Sequence, residues 1–542
     1  MRKERKQVVV GLNTGHDGGA AIIVDGDIIY SISEERLNRR RYSHGYLQSF
    51  FYCLNAANLT ISDISLIVFS SYGKTLPTGY QGDLSGLGIS STKFIYVDHH
   101  LSHAYSSYFL SSFDEALVVI LDGEGNDNCS ESYYIGKGKK LKKIGGNNQK
   151  RSPAKGIGRT YESFTNFLGW TDQEAGKTMG LAAFANTTSI KTPLFTVKDT
   201  KVSSLLEEKY EKGTIDFVQK YHLPFGKPYN RGMTKGSKLA AAYVQKQTEV
   251  AIIELIKQLV KKTKKTKLCL CGGVALNSST NAKLIQEKII EDIFILPAAS
   301  DRGQALGNAI YGYHKLSGDM PKFKLQNDYF GKEYTKKEIL DALQRKDSAH
   351  VKKKIPRKNI VFKKQKNIVK ATAQLIANGK IIGWFQGGSE LGPRALGHRS
   401  IICDPRSSAM KDILNKRVKH REKFRPFAPS CLAEYASEFF NWSIPSPYML
   451  FVVPIKKEYV KTIPAVRHVD GTARLQTVTK KGNGIYYDLI KEFHKLTGIP
   501  IVLNTSFNDN EPIVETPGDA VATFLSTDID FLAIGDYLAW KK

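Results

Sequence analysis

The sequence predicts an α/β protein with at least two domains, and three observations support this prediction. A chain of 542 residues, 41% of them apolar, is too long for one hydrophobic core but can bury two. Patterns typical of buried strands alternate with helical patterns along most of its length. Three predicted strands end in glycine turns that carry polar side chains, and ligands bind at such strand ends in α/β sheets.

The first part of the chain is predicted to contain two similar halves that face a cleft. Its predicted elements are strands at Gln7–Leu12, Ala20–Val24, Asp27–Ser33, Ala116–Leu121 and Lys267–Cys271 and a helix at Ala240–Lys262. Asp25-Gly26, between the second and third strands, is a two-residue hairpin signal. A strand followed by a glycine turn occurs near the start and again at Asp122–Gly125. This repetition is typical of the actin-like ATPase fold.

A polar, lysine-rich stretch separates the first part from the second. It covers about Gly318–Lys366 and contains a predicted helix at Lys336–Leu343, so we expect domains at residues 1–350 and 351–542. The remaining predicted elements are a helix at Ile368–Asn378, strands at Ile381–Phe385 and Pro500–Leu503, a helix at Asp519–Phe524 and a strand at Ile529–Ile534.

The composition limits the classes of partner and location. The net charge is +27, but the lysine runs, such as Lys137–Lys143, Lys261–Lys267 and Lys352–Lys366, lack interleaved aromatic residues and are typical of solvated faces. Attraction of anionic small molecules is a second interpretation, and nucleic-acid binding is the least favoured. No segment approaches the roughly 18 apolar residues of a membrane span, and no signal-peptide core follows the N-terminus. Six cysteines without a CxxC pair favour a cytoplasmic location.

Two histidines, His99 and His103, indicate a metal site. They are four residues apart, so on a helix both imidazoles lie on one face. Asp122 and Asp301 stand in turns after predicted strands and can project into the same cleft. Two imidazoles with two carboxylates suit a divalent metal such as Fe(II), Mn or Zn. The alternative is an ordinary surface or capping role for the histidine pair.

Glycine turns in the first part are candidate nucleotide contacts. Gly272-Gly273 follows a strand and can bring its backbone close to a phosphate, although tight strand–helix packing explains the glycines equally well. Gly176-Lys177-Thr178 looks like the end of a phosphate-binding loop. Thr171 stands where that motif requires glycine, which excludes it.

Basic residues in the second part lie beside glycine, proline and aromatic residues rather than on solvated helix faces. Guanidinium groups bind oxyanions through paired hydrogen bonds, so this pattern predicts a polyphosphate or carboxylate clamp, with surface ion pairs as the alternative. The candidates are Arg394, Arg399, Arg406, Lys419, Arg421, Arg425 and Arg474. Asn504, Ser506 and Asn508 follow a predicted strand and can orient a ligand, unless they form a simple turn.

The motifs, in this order, resemble those of the O-carbamoyltransferase family of the antibiotic and nodulation-factor type, over nearly the whole chain. They are Asn13-x-x-His16-Asp17, Glu34-Glu35-Arg36, His99-His100-x-x-His103-Ala104, Asp122-Gly123, Gly176-Lys177-x-Met179-Gly180-Leu181, Gly272-Gly273-Val274-Ala275-Leu276-Asn277, Asp301, Gly392-Pro393-Arg394-Ala395-Leu396-Gly397-x-Arg399-Ser400, Arg421-Glu422-x-Phe424-Arg425-Pro426-Phe427-Ala428-Pro429, Asp470-Gly471-Thr472-Ala473-Arg474 and Asn504-x-Ser506-Phe507-Asn508.

The resemblance implies a Kae1-like domain of the actin-like ATPase fold, followed by a YrdC-like twisted α/β domain. It implies that carbamoyl phosphate and ATP, with Mg²⁺, form carbamoyladenylate in the second domain. The carbamoyl group then passes to a hydroxyl of a small-molecule acceptor at a metal, reported as iron, in the first domain. The family's metal ligands fall on His99, His103, Asp122 and Asp301.

The resemblance also implies roles for the other motif residues. His16 is expected to take the proton of the acceptor hydroxyl, and Arg394 and Arg425 to act in adenylate formation. Nucleotide or phosphate contacts are expected at Asn13, Lys177, Gly272, Gly273, Asn277, Arg394, Arg399, Lys419, Arg421, Arg425, Arg474, Asn504, Ser506 and Asn508.

Two segments depart from the family pattern, and both are expected to contribute to acceptor recognition. Arg39–Tyr46 lacks a proline that the family often has, and Thr75–Ser91 is short and rich in glycine. The acceptor and the oligomeric state are therefore left open. An enzyme of threonylcarbamoyladenosine formation on tRNA is the alternative, slightly favoured by the charge, but the domain order and the long motifs argue against it.

Overall fold

The structure is a computed structural model that describes residues 6–70, 78–148, 156–208, 210–231, 234–321, 324–344 and 360–542. It divides into two compact units. Unit 1 comprises Met1–Glu34 and Tyr42–Leu325, and unit 2 comprises Glu35–Arg41 and Gln326–Lys542. The predicted boundary at residue 350 falls outside the described residues. Part of Thr75–Ser91 and part of Lys352–Lys366 also fall outside them.

Unit 1 contains twelve of the strands and most of the helices. The strands are β1 Val8–Asn13, β2 Gly19–Val24, β3 Asp27–Ser33, β4 Leu66–Ser70, β5 Phe94–Val97, β6 Glu115–Leu121, β7 Cys129–Lys137, β8 Lys140–Asn148, β9 Phe195–Lys198, β10 Lys201–Ser204, β11 Lys267–Cys271 and β12 Asp292–Ile295. The helices are α1 Glu34–Asn38, which continues into unit 2, α2 Leu47–Ala56, α3 Thr78–Gly86, α4 His99–Tyr108, α5 Ile157–Phe167, α6 Ala175–Ala182, α7 Tyr210–Lys220, α8 Lys235–Thr263, α9 Ser278–Gln286 and α10 Gln304–Ser317.

Two five-stranded sheets of unit 1 have the same topology. Their strand orders are β3-β2-β1-β4-β5 and β8-β7-β6-β11-β12. In each sheet the first three strands in sequence are antiparallel, and the last two run parallel to the first. The repetition predicted from the glycine turns is thus confirmed, and unit 1 has the duplicated sheet arrangement of the actin-like ATPase fold.

Unit 2 is built on one mixed sheet of nine strands. Its strands are β13 Ile360–Lys364, β14 Ile382–Phe385, β15 Arg399–Cys403, β16 Ala428–Leu432, β17 Phe451–Pro454, β18 Thr472–Val478, β19 Ile501–Ser506, β20 Phe531–Ile534 and β21 Tyr537–Lys541. Their order in the sheet is β13-β21-β20-β14-β15-β19-β16-β18-β17. The helices are α11 Lys336–Leu343, α12 Ile368–Ala377, α13 Met410–Leu414, α14 Ala436–Phe439, α15 Lys480–Thr497 and α16 Pro517–Ser526.

The core of unit 2 lies between this sheet and helices α12 and α15. Ile376 from α12 and Phe493 from α15 pack with Trp384 of β14, and all three side chains are buried. Removing apolar surface from water stabilises such a cluster by about 25 cal/mol for each Å². Trp384 also donates its indole N–H to the carbonyl of Gly397, at 2.8 Å. The core therefore holds the end of the loop between β14 and β15, which carries Arg394.

Two predicted elements differ from the observed ones by three residues or more at one end. The strand predicted at Pro500–Leu503 runs from Ile501 to Ser506, because Asn504 and Ser506 pair with β15 on one side and Asn504 with β16 on the other. Asn504 and Ser506 therefore lie inside a strand and not in the turn after it. The helix predicted at Ala240–Lys262 begins earlier, at Lys235, where the Thr234 hydroxyl caps it.

A candidate metal centre and an arginine cluster

Three segments of unit 1 bring His99, His103, Asp122 and Asp301 together. The two histidines lie one turn apart on α4, and the Asp98 carboxylate caps this helix by accepting the Leu101 N–H. Asp122 follows β6, and Asp301 begins a short 3₁₀ helix that leads into α10. One ligand atom from each of the four residues lies within 4.8 Å of the others, and all four residues are buried.

The distances among these four side chains fit a bound cation. His99 Nε2 lies 3.1 Å from Asp122 Oδ2 and 3.3 Å from Asp301 Oδ1. His103 Nε2 lies 3.4 Å from the same two oxygens and makes no hydrogen bond, although it is buried. A buried nitrogen without a hydrogen bond is costly. Two imidazoles and two carboxylates that converge in this way form a donor set suited to a divalent first-row metal.

The two histidines and the two aspartates stabilise the charged forms of one another. Burial lowers the pKa of His99, but the charge of Asp301 and a hydrogen bond to Asp122 outweigh it and raise the pKa to about 9. Burial also lowers the pKa of His103, yet the neighbouring Cys271 and the two carboxylates raise it well above its usual value. The pKa of each aspartate is lowered by the histidines despite burial. A metal would replace protons on the two histidines.

A backbone N–H and a side-chain amide help to hold Asp122 and Asp301 in place. The Gly273 N–H donates to Asp122 Oδ1 at 3.0 Å. The Asn13 amide donates to the carbonyls of His16, Asp17 and Asp301, each at 3.2 Å. The structure thus gives Gly273 and Asn13 a positioning role beside the metal residues. Their expected nucleotide contacts remain predictions.

Gly272 has a steric reason to be glycine. Its φ of +92° favours glycine, and a Cβ there would lie 2.2 Å from the carbonyl oxygen of Leu121. The alternative of tight packing therefore accounts for Gly272. Asn277 pairs its amide with that of Gln245 and caps α9, and Lys177 forms an ion pair with Glu174 at 2.7 Å. Each of these predicted nucleotide contacts has a protein partner in the structure.

Two further histidines lie beside the four residues. His16 Nε2 lies 3.3 Å from Asp301 Oδ2, and 38% of the His16 side chain is exposed. A substrate can therefore reach this imidazole. His100 is buried and contacts Ser132 Oγ through Nδ1 at 2.9 Å, and burial lowers its pKa to about 3. His100 is not among the four converging residues, in agreement with the prediction that it is at most an indirect neighbour of the metal.

Unit 2 brings four arginines close together. Arg394 lies in the loop between β14 and β15, Arg421 and Arg425 precede β16, and Arg474 lies on β18. Burial lowers the pKa of Arg474 well below its usual value, and the charges of the other three lower it further. The pKa of Arg421 falls to about 9, through burial and then through Arg425 and Arg394. We call Arg394, Arg421, Arg425 and Arg474 the arginine cluster.

A cluster of like charges in a partly buried place destabilises the protein unless an anion neutralises it. The carboxylate of Glu422 lies 3.8 Å from Arg425 and balances part of this charge. Such a cluster suits an oxyanion, and the predicted polyphosphate or carboxylate clamp stays a prediction.

Two other predicted anion ligands, Lys419 and Arg399, are held by protein groups instead. The Lys419 ammonium is buried and donates to the carbonyl and side-chain oxygens of Asn508 and to Ser506. Arg399 is buried, donates to the carbonyls of Gln386 and Gly387, and lies 3.6 Å from the Phe385 ring. Both hold loops in place.

Arg406 was predicted to belong to the clamp, but the structure pairs it with an acidic side chain. It forms a two-pronged ion pair with Asp404 at 2.6 and 3.0 Å, so its charge is already neutralised.

Asn504 is buried and donates to Ala395 O, Ser430 Oγ and Gln476 Oε1, which supports the strand from within.

The structure adds Arg41 to the basic residues near the cluster. Glu35–Arg41 belongs to unit 2, where Arg39 donates to the carbonyls of Pro512 and Ile513 at 2.6 and 2.7 Å. The charge of Arg41 contributes to lowering the pKa of Lys419 and of Arg421. The sequence predicts that this segment is part of an acceptor loop. Its three consecutive arginines were the available signal for an anion site.

Comparison with known proteins identifies the family. The family model described as carbamoyltransferase N-terminus matches residues 8–84 and 78–310, and the one described as carbamoyltransferase C-terminus matches residues 373–541. This chain belongs to the carbamoyltransferase family. It is therefore a transferase, and the carbamoyl group is what it transfers. Among the described residues, the structure contains no helix both long and apolar enough to cross a membrane.

Two sequence relatives and one solved structure are similar to this chain. The chain is 35% identical to nodulation protein NolNO of Sinorhizobium fredii, and the match covers 97% of this chain and 79% of the relative. It is 28% identical to the 3'-hydroxymethylcephem-O-carbamoyltransferase of Streptomyces clavuligerus, over 98% of both chains. A solved structure of HypF in a phosphate- and nucleotide-bound form aligns with 59% of this chain and 57% of that one, with 16% identity and a TM-score of 0.36.

Proposed function

We propose that this carbamoyltransferase uses ATP to activate carbamoyl phosphate and delivers the carbamoyl group to a hydroxyl of a small molecule. The presence of two unlike sites supports the assignment of activation and delivery to different places. Unit 2 has a cluster of arginines that repel one another, and unit 1 has a buried group of two histidines and two aspartates. The first suits phosphate-bearing substrates and the second suits a metal.

In unit 2, water would hydrolyse carbamoyl phosphate to carbamate and phosphate. A carbamate oxygen would then attack the α-phosphorus of ATP, forming carbamoyladenylate and releasing pyrophosphate. Arg394 and Arg425 would contact the reacting phosphoryl groups and neutralise the charge that grows as two anions meet. Arg421 and Arg474 would bind the remaining phosphates of ATP, which carries Mg²⁺. Carbamate is short-lived in water, so a partly buried site would also protect it.

In unit 1, His99, His103, Asp122 and Asp301 would hold the metal, for which we propose Fe(II). The bound metal would act as a Lewis acid on the carbamoyl donor. His16 would accept the proton of the attacking hydroxyl, since its imidazole is partly exposed and lies next to Asp301. Gly272, Asn277 and Lys177 would face the adenosine half of the donor. Asn13 and Gly273 would keep the two carboxylates in position.

The proposed acceptor is a small molecule with a free hydroxyl group. One relative is named for a hydroxymethyl acceptor, and another is named for nodulation. These names support an O-linked acceptor and do not select one. The net charge of +27 is consistent with two anionic co-substrates, ATP and carbamoyl phosphate.

The test is to incubate the protein with ATP, Mg²⁺, carbamoyl phosphate and Fe(II), without acceptor, and to measure pyrophosphate and carbamoyladenylate. We expect both products from the wild type and from His99→Ala, and neither from Arg474→Ala. Arg406→Ala, which removes an arginine already paired with Asp404, is the matched control and should behave like the wild type. Absence of both products from the wild type would refute the proposal. Salt-dependent binding of tRNA would instead favour tRNA modification.

A further inference from the structure

We propose that the thiol of Cys271 positions His103 for metal binding by fixing which ring nitrogen carries the proton. This inference rests on the proposed metal site in unit 1. Cys271 ends β11 and is fully buried, and its Sγ lies 3.6 Å from His103 Nδ1. The same sulfur lies 3.5 Å from the carbonyl oxygen of Ala299. Cys271 is thus a positioning residue, since it contacts a metal-binding residue and not the metal or the substrate.

The direction of these hydrogen bonds decides the role of Cys271. A neutral histidine that binds a metal through Nε2 must carry its proton on Nδ1, and that N–H needs an acceptor. Ala299 offers a carbonyl, which can only accept, so the thiol proton of Cys271 points to it. The lone pairs of the sulfur then face His103 Nδ1 and accept its proton. Nε2 is left with a lone pair directed at the two carboxylates.

A sulfur acceptor differs from the usual partners of metal-binding histidines. Those partners are carboxylates, backbone carbonyls or water, and a strong acceptor raises the basicity of the imidazole. A thiol is a weak acceptor, so it orients the ring without making the imidazole a much stronger donor. The metal would thereby remain a better Lewis acid, which suits the proposed activation of a carbonyl.

The same strand supplies a matched control. Cys269 is two residues before Cys271, so both thiols point to the same side of β11, and both are fully buried. The neighbours of the Cys269 thiol include Ser107 and Ser111, whereas the Cys271 thiol is the one that faces His103. Replacing Cys269 therefore removes a buried thiol from the same strand without removing the partner of His103.

The experiment compares Co(II) binding by the wild type, Cys271→Ala, Cys271→Ser and Cys269→Ala. Affinity would be measured by competition with a chelator, and the ligand geometry by the visible absorption of the bound Co(II). We expect Cys271→Ala to bind Co(II) about 10-fold more weakly, with an altered spectrum, as is typical when the outer partner of a metal-binding histidine is removed. Cys271→Ser should recover much of the affinity, because a hydroxyl can also accept from Nδ1 and donate to a carbonyl. Cys269→Ala should match the wild type.

A second measurement on the wild type does not depend on any variant folding. Long-range ¹H–¹⁵N correlation of histidine-labelled, Zn(II)-loaded protein should place the His103 proton on Nδ1 and show it slow to exchange with water. A proton on Nε2 would overturn the inference. If the wild type binds metal, equal Co(II) affinities and equal spectra for Cys271→Ala and Cys269→Ala would also overturn the inference. A wild type that binds neither Co(II) nor Zn(II) would overturn the metal site itself, and this inference with it.

Discussion

Replacing Arg421 by methionine should stabilise the unliganded protein and weaken its binding of phosphate-bearing substrates. Arg421 lies in the arginine cluster, where the charges of Arg425 and Arg394 oppose its own. Methionine is an unbranched, apolar replacement that can pack on the Phe427 ring, whose centroid lies 4.5 Å from the guanidinium carbon of Arg421. It removes one of four charges that repel one another.

The size of the effect follows from the pKa. Burial, followed by the neighbouring arginines, lowers the pKa of Arg421 from 12.5 to about 9. At about 1.4 kcal/mol for each pKa unit, keeping this group charged costs about 5 kcal/mol in the folded protein. At pH 7, below both the folded and the unfolded pKa, the full cost is present, and it disappears as the pH rises from about 9 to 12.5.

The net gain is smaller than this cost, because the arginine also makes hydrogen bonds. Its donors reach Asn415 Oδ1 at 3.3 Å and Pro426 O at 3.4 Å, and partial access to water reduces the repulsion. We expect Arg421→Met to stabilise unit 2 by about 1–2 kcal/mol. For a unit of about 220 residues this corresponds to an increase in Tm of about 2–8 °C.

The assay is differential scanning calorimetry at pH 7, with and without inorganic tripolyphosphate. The anion should raise the Tm of the wild type and raise that of Arg421→Met much less. Arg406→Met is the matched control, and it should lower the Tm or leave it unchanged, because Arg406 is paired with Asp404. The reasoning is refuted if Arg421→Met lowers the Tm as Arg406→Met does, or if tripolyphosphate stabilises it as strongly as the wild type.

Three further predictions concern other parts of the two sites. Gly272→Ala should destabilise unit 1 by about 2–4 kcal/mol in urea unfolding, because a Cβ would meet the Leu121 carbonyl at a φ of +92°. Gly226→Ala, with a φ of +74° but open space around it, should cost only about 1 kcal/mol, and equal losses would contradict the steric argument. Co(II) affinity should rise with pH up to about 9, by about tenfold per pH unit for each proton displaced, because the pKa of His99 is raised to about 9. An affinity independent of pH in competition titrations between pH 6 and pH 8 would count against the site. Arg41→Ala should weaken tripolyphosphate binding about two- to threefold in calorimetric titration, whereas Arg40→Ala should have less effect, and the reverse order would show that Arg41 does not act on the cluster.

Local sequence signals account for most of the grouping of His99, His103, Asp122 and Asp301. His99 and His103 are spaced for one face of a helix, and Asp122 follows a strand of buried apolar residues, so short-range patterns place three of the four side chains. The position of Asp301 depends on the packing of α10 against β1. That packing is possible because Gly11 has no side chain, and a Cβ there would lie 2.0 Å from the Ala305 carbonyl.

The arginines were harder to interpret from the sequence. Arg394, Arg399 and Arg406 lie within one short segment, yet Arg406 pairs with Asp404 and Arg399 holds the loop at Gly387, while Arg394 belongs to the cluster. Asp404, two residues before Arg406, was a local signal for their ion pair, whereas the approach of Arg394 to Arg474 depends on tertiary contacts, which spacing does not contain. The place of Arg41 near the cluster also depends on tertiary contacts, since its segment belongs to unit 2, and acceptor recognition by this segment stays a prediction.

The roles of Asn13 and Gly273 illustrate a related difficulty. Both stand in motifs with glycine and polar residues at strand ends, a pattern equally compatible with binding a phosphate and with holding a carboxylate. In the structure the Gly273 N–H donates to the Asp122 carboxylate and the Asn13 amide donates to the backbone carbonyl of Asp301, so both help to position the aspartates, and their nucleotide contacts stay predictions. A motif thus indicates that a residue belongs to a site without specifying its contact.

The central claim is that carbamoyl activation takes place at the arginine cluster and is independent of the metal group. Exchange of radiolabelled pyrophosphate into ATP tests it most directly, because exchange requires reversible formation of an adenylate. We predict exchange that depends on carbamoyl phosphate, persists in His99→Ala and His103→Ala, and is lost in Arg474→Ala. Release of ADP without pyrophosphate exchange in the wild type, or loss of exchange in both histidine variants when they fold normally, would contradict the account.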